Sequence, residues 1–198
     1  IYKNKEKLNF EVIENRENGF SIINANIPKK QLGKGYLNKR TLLSVSSCGI
    51  CGKQKLEDIS VTGFKLTNGF NFDPHKIEIM FSEMKANQDT FDLSGGSHAA
   101  ALFDENYKLL IVKEDIGRHN AVDKVIGSQL NLHALNQSNC LLVSGRVSYE
   151  IISKAFIAKI PYVIAVSACS TLAVDFAKEF GITLIGFSRG KKATIYAN

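Results

Sequence analysis

Cys48 and Cys51 stand three positions apart in "SSCGICGK" (46–53), with Gly49 and Gly52 beside them. Two thiols at this spacing could hold a metal ion, cycle between dithiol and disulfide, or carry sulfur as a persulfide. A structural zinc site wants two such pairs. The other cysteines, Cys140 and Cys169, are isolated in apolar segments, and the "HAA" at His98 lacks the glutamate of a zinc deaminase's H-x-E. No metal is therefore expected. A thioredoxin-type centre starts a helix whose dipole acidifies the first thiol. Here Gly52 follows at once and no amphipathic pattern opens.

Sulfur carriage asks for a nucleophilic thiolate on a segment able to visit a donor and then an acceptor, with a second thiol to help release the outer sulfur. An ordinary thiol of pKa ~8.5 is only a few per cent ionised at neutral pH. Between Asn18 and Leu56 there is no Asp or Glu, while Lys29, Lys30, Lys34, Lys39, Arg40, Lys53 and Lys55 fall in that span. Such a field favours the thiolate, and the two glycines predict a mobile loop. Sulfur carriage fits these surroundings best. A dithiol–disulfide oxidoreductase is the enzymatic alternative, and a cofactor chaperone or nucleotide-binding module is the non-enzymatic one.

A second kind of chemistry is spread along the C-terminal two thirds. Glu114, Asp115, Arg118 and His119 follow "KLLIVK"; Ser144, Gly145 and Arg146 follow "CLLV"; Ser167, Cys169, Ser170 and Thr171 follow "YVIAV"; Ser188, Arg189 and Gly190 follow "ITLIGF". Ligands of open α/β sheets bind beyond the carboxyl ends of strands. Arginine forks and the helix starts expected near Val147 and Thr171 suit phosphate. Each cluster alone could be a turn or a cap. Four at one sheet edge predict an anionic ligand more than one phosphate long. Gly95-Gly96 before His98 would let backbone approach it closely, although a lone histidine there is more often structural. Asp123 and Lys124 read as a solvated pair.

Behind these residues lies a regular alternation. Continuous apolar strands separated by helices of about a dozen residues predict an α/β layered fold with a mostly parallel or mixed sheet and helices on both faces. "DPHKIEIMFSEMKANQ" reads as a helix capped by Asp73, with Pro74 in its first turn and Ile77, Met80, Phe81 and Met84 on one stripe. Upstream, "LNFEV" and "FSIINANI" read as strands, and "TLLSVSS" as another leading into the cysteines. The expected division is a small β-rich part over 1–60 with the cysteine loop, and an α/β ligand-binding domain over 61–198.

The chain has 198 residues, 44% hydrophobic and 22% charged, with a net charge of +6. That is enough for a buried core without metals or disulfides. No apolar run reaches transmembrane length and no leader pattern opens the chain. Four scattered cysteines fit a reducing compartment. These features predict a soluble, cytoplasmic protein. The basic excess attracts anions, but no nucleic-acid-binding motif accompanies it, so neither nucleic acid nor membrane is expected as a partner.

"SSCGICGK", "GGSHAAALFD", "EDIGRHNAVDKVIG", "SGRVSYEIISKAFIAKIPYVIAVSA", "LAVDFAKEFGITLIGFSRG" and "IYAN" occur in this order. From Thr41 onward the chain resembles the formate dehydrogenase accessory sulfurtransferase (FdhD) family. The resemblance implies a cytidine deaminase-like fold without the zinc site and a homodimer. It implies that sulfur comes from a cysteine desulfurase as a persulfide on Cys48, with Cys51 as helper. The sulfur would pass to the molybdenum cofactor in its bis(molybdopterin guanine dinucleotide) form, for insertion into formate dehydrogenase. Phe187, Ser188, Arg189, Gly190, Lys191 and Lys192 match the segment assigned to that cofactor, for which guanine nucleotides such as GDP or GTP would be surrogates. His98, Arg118, His119 and Arg146 join them as expected pocket residues. Family members carry a longer N-terminal stretch, which implies that part of the first subdomain precedes Ile1. They also commonly have proline where Cys169 stands, which places a third thiol near the expected pocket.

Overall fold

The computed structural model describes residues 9–15, 20–28, 63–67, 72–190 and 192–198. Cys48, Cys51, Lys191, the expected "TLLSVSS" strand and the basic span from Lys29 to Lys55 lie outside the described residues. By contacts the chain divides into two compact units, Ile1–Ser44 and Val45–Asn198.

In the first unit, β1 (Asn9–Asn15) and β2 (Phe20–Asn26) pair antiparallel, with Val12 opposite Ile23 and Phe10 opposite Ala25. The described side chains of both strands are exposed.

The second unit is built on a six-stranded sheet. Its elements in chain order are α1 (Ile77–Lys85), α2 (Asp89–Ser94), β3 (His98–Phe103), β4 (Leu109–Asp115), α3 (Arg118–Asn131) and β5 (Cys140–Val143). Then follow α4 (Tyr149–Ile157), β6 (Tyr162–Ala165), α5 (Thr171–Phe180), β7 (Thr183–Arg189) and β8 (Lys192–Ala197). The strand order is β4-β3-β5-β6-β7-β8. Only the β5–β6 and β6–β7 pairs are parallel, joined through α4 and α5; the other three pairs are antiparallel. The sheet is therefore mixed, and the layered α/β class is as the sequence predicts.

Period-two alternation divides the core. Ala100, Leu102, Leu141, Val143, Val163 and Leu184 face a cluster completed by α3, α4 and α5. Ala99, Ala101, Phe103, Leu142, Ile164 and Ile185 face Ile77, Met80 and Met84 of α1. β5 and β6 are buried along their whole length, as their unbroken apolar runs require. The expected punctuation is in place. Asp73 accepts the His75 N–H ahead of Pro74 (2.9 Å) and Ser170 accepts the Ala173 N–H at the start of α5 (3.2 Å). Gly181 ends α5 with φ 71°. α2 and β8 were not anticipated by the pattern.

This topology brings the polar ends together. β3 runs against its neighbours, so His98 at its start lies opposite Asp115 at the end of β4. The Ser144 N–H donates to Ala99 O (3.0 Å), which puts the end of β5 beside them. β6 and β7, parallel to β5, end on the same rim.

Candidate functional site

The carboxylates of the rim are committed to backbone. Glu114 accepts the Thr90 and Phe91 N–H groups of α2 (2.7 and 2.8 Å) and the Ser97 hydroxyl (2.6 Å). Burial raises this carboxyl, but those bonds outweigh it and hold it below the ordinary carboxylate value. Asp115 accepts the Gly117 N–H and the Asn120 amide ahead of α3, and pairs with Lys124 at 2.6 Å. Burial again raises it, and Lys124, Gly117 and Asn120 lower it further than burial can offset. Lys124 also donates to Glu114 O (2.9 Å). The "EDIGRHNAVDK" segment is thus a brace that fixes the start of α3. Asp123 and Lys124, expected to pair with each other, instead pair outward: Asp123 with Lys154 (2.7 Å), Lys124 with Asp115.

With the acids occupied, the rim is cationic. Arg118 and Arg146 both lie near His98, and the three are drawn together around Gly145 and Ser144. A Cβ on Gly145 would meet His98 Nδ1 and Arg118 Cδ, each at 3.3 Å. Ser144 Oγ accepts the Ala99 N–H (2.9 Å) and stands 3.4 Å from His98 Nδ1. Burial first, then Arg118 and Arg146, keep the imidazole of His98 below its usual pKa and so neutral near pH 7. His119 is buried at 7% exposure, with Arg118, Lys154, Glu150 and Asp123 as charged neighbours. Its pKa is lowered by burial and then by Arg118 and Lys154.

Phe187, Ser188 and Arg189 end β7, Gly190 follows, and Lys192 begins β8. Phe187 has φ 49° and Gly190 φ 58°, with the Phe187 N–H donating to Ser167 O (3.1 Å). A positive φ at a bulky residue is uncommon. It leaves the ring about half exposed while Ser188 turns inward. Ser188 and Gly190 line a cavity of about 230 Å³ with Phe81 and Lys85 of α1. Phe81 and Lys85 also line a larger cavity of about 460 Å³ that reaches Gly95, Gly96, His98 and Ser144. The two predicted clusters therefore border neighbouring hollows that share one edge of α1. Three predicted residues carry buried polar atoms with no partner among the described residues: Arg118 Nε, His119 Nδ1 and Ser188 Oγ. Such atoms are costly to leave unpaired, and the donors Arg118 Nε and Ser188 Oγ fit an anionic, hydrogen-bonding ligand.

Lys85 and Gln88 were not singled out in the sequence. Lys85 sits on the polar side of an amphipathic helix, and Gln88 falls at a break between helices with no motif around it. Among the described residues no three His, Cys, Asp or Glu side chains converge as a metal-ligand set, and no helix is long and apolar enough to cross a membrane.

Fold and rim together define an α/β protein with a basic rim at one end of a mixed sheet. The chain belongs to the FdhD/NarQ family, whose model matches residues 2–198. It is similar to a protein from Streptomyces avermitilis named sulfur carrier protein FdhD, 45% identical over 163 residues. That match covers 80% of this chain and 58% of the relative. A protein of the same name from Mycolicibacterium paratuberculosis is 41% identical over 187 residues, covering 92% of this chain and 68% of its own. In the first of these comparisons the chain spans little more than half the relative's length. A crystal structure assigned to a formate dehydrogenase accessory protein from Desulfotalea psychrophila superposes with a TM-score of 0.62 at 28% identity. It covers 68% of this chain and 57% of that one.

Proposed function

We propose that this chain is a sulfur carrier that serves the maturation of formate dehydrogenase. Family membership with relatives of that name carries the reading. A cysteine desulfurase would load a persulfide on Cys48. The acceptor would be the molybdenum cofactor as bis(molybdopterin guanine dinucleotide), a cargo with several phosphates and two guanine heads. Release balances as follows: the Cys51 thiolate attacks the inner sulfur of the Cys48 persulfide, and the outer sulfur leaves as hydrosulfide to the acceptor. A Cys48–Cys51 disulfide remains for a thiol reductant to reopen.

The described cysteines support this division of labour. Burial and Asp104 push the Cys140 thiol up to about 12, and burial pushes Cys169 up to about 11, so neither is a thiolate at neutral pH. Orphan donors at Arg118 and Ser188 suit the cargo's phosphates. Arg146, Arg189 and Lys192 are exposed beside them. Incubation with a cysteine desulfurase and cysteine, followed by mass spectrometry, tests the reading. One added sulfur, absent from Cys48→Ala and transferable to an acceptor, is expected. A reversible disulfide with thiol-exchange turnover and no added sulfur would make the chain an oxidoreductase. Cofactor binding without loading would make it a chaperone.

A further inference from the structure

We propose that the cavity between the β3–β4 turn and the entry to β5 holds a divalent cation of the calcium type, bound through Asp104, Glu105 and side-chain oxygens of residues 136–139. It lies at the end of the sheet opposite the basic rim, where the end of β3 meets the start of β5, and it is independent of the functional reading above.

The cavity, about 390 Å³, is lined by Asp104, Glu105 and Asn106 on one side and by residues 136–139 on the other. The Asn139 N–H donates to Phe103 O (2.8 Å), which holds the two segments together. The chain carries a net charge of +6, yet no Lys, Arg or His lines this cavity. No aromatic or aliphatic residue lines it either, whereas sites for organic ligands have mostly apolar walls. Every lining residue brings a side-chain oxygen: two carboxylates, four carboxamides and one hydroxyl. A set of oxygen donors without nitrogen or sulfur ligands selects a hard cation. Only two of the donors are carboxylates, so three His, Cys, Asp or Glu do not meet here. Calcium fills its remaining positions with amide oxygens and water.

Two polar groups of the cavity are unused. Ser138 is 5% exposed, and its buried hydroxyl makes no hydrogen bond among the described residues. Asn139 Nδ2 is buried and unpaired in the same way. Groups sealed from water without a partner cost free energy that a bound ion can recover. No bond holds the Asn139 carboxamide, so a half-turn exchanges its nitrogen for its oxygen. Asp104 is already set by its turn: Oδ1 accepts the Asn106 and Lys108 N–H groups (2.8 and 2.9 Å), which leaves Oδ2 for the ion. An ion bound here ties the β3–β4 turn to the start of β5.

The test is calorimetric titration of CaCl₂, and separately MgCl₂, into the purified full chain freed of metal with EDTA, and into Asp104→Asn, Ser138→Ala and Asp92→Asn. One Ca²⁺ per chain is expected, with a Kd of roughly 10 μM to 1 mM, the range of sites with few carboxylates. Mg²⁺ demands a tight octahedron and should bind about tenfold weaker or worse. Asp104→Asn keeps an oxygen for the two backbone N–H groups but loses the charge, and should weaken Ca²⁺ about tenfold or more. Ser138→Ala should weaken it about three- to tenfold. Asp92→Asn, on α2, should bind as the parent does. Ca²⁺ at a hundredfold excess over Kd should raise the parent's melting temperature by about 5 °C, and that of Asp104→Asn by much less. The same melts without the ion show that each variant is folded. No Ca²⁺ binding up to about 10 mM overturns the site. Equal Ca²⁺ affinity in the parent and Asp104→Asn puts the ion elsewhere and overturns it too. Mg²⁺ as tight as Ca²⁺ overturns the assignment to calcium.

Discussion

Gly145 lies against His98 so closely that a methyl group in its place would stand 3.3 Å from the imidazole Nδ1. Arg118 Cδ is equally near on the other side, at 3.3 Å. Glycine at this position lets the β5 end, the β3 start and the α3 start meet without displacing either side chain. Gly145→Ala should push the imidazole and guanidinium apart by a few tenths of an ångström, because contacts this short yield by displacement. The fold should tolerate that, with a melting temperature lower by no more than about 4 °C. GDP affinity should fall about tenfold, since the groups that converge on the ligand are misplaced. Calorimetric titration beside a thermal melt checks the split; equal loss in both would make Gly145 a packing residue only.

Gly181 and Gly95 both end helices with positive φ, 71° and 64°, yet their surroundings differ. A Cβ on Gly181 would collide with the Leu66 carbonyl and the Lys65 side chain, whereas Gly95 has open space. The Leu66 N–H donates to Phe180 O (2.8 Å), so the 63–67 segment is held where the collision occurs. Gly95→Ala should cost about 1 kcal/mol, the left-handed backbone term alone. Gly181→Ala should cost about 2–4 kcal/mol, because backbone collision is added to it. Urea midpoints of the two variants give the comparison.

Acid should destabilise the protein in two steps. His98 and His119 have pKa values lowered in the folded chain from an ordinary 6.5. The unfolded chain therefore takes up protons first, and stability present above pH 6.5 is lost as pH falls from there through the folded values. Glu114 and Asp115 are also lowered, from 4.5 and 3.8, so their contribution holds above those values and is lost as pH falls through the folded ones. Urea midpoints from about pH 8 to about pH 3 should show both declines. His98→Gln removes one of the upper titrations and should flatten the first step without changing the second. A first step unchanged in that variant would remove His98 as one of its sources.

Much of this arrangement was legible before any coordinates. The apolar runs of β5 and β6, the Asp73-Pro74 start, the Ser170 cap and the closing Gly181 are local signals, and each acts within a few residues. The convergence of Ser144, Arg118 and His98 followed from strand ends sharing a rim. Glu114 and Asp115 looked like ligand groups because their acceptors are spent on partners the sequence hides: Thr90 lies 24 residues from Glu114 and Ser97 lies 17. Asp123 and Lys124 show the same limit, since adjacent helical residues face different neighbours and each found its ion across an element boundary. Gln88 had no signal at all. A lone glutamine at a helix break shows its burial only in the fold. α2 was too short and too polar to show a period, and β8 has only one buried position, Ala197, to mark it.

Thiol chemistry gives the remaining prediction. Cys140 is fully buried in β5 and Cys169 sits against Gly186, where a Cβ would come within 2.9 Å of its sulfur. With thiols at about 12 and about 11, the thiolate fraction of either at neutral pH is below roughly one part in a thousand. Only the thiolate attacks an alkylating agent or a persulfide donor. Iodoacetamide at neutral pH should therefore label Cys48 and Cys51 in the native chain and leave Cys140 and Cys169 unlabelled until denaturant is added. Cys169→Ser should load sulfur at the parent rate, although the thiol stands near the rim. Peptide mapping after labelling, with and without denaturant, distinguishes the four positions; native labelling of Cys169 would bring it into the sulfur chemistry.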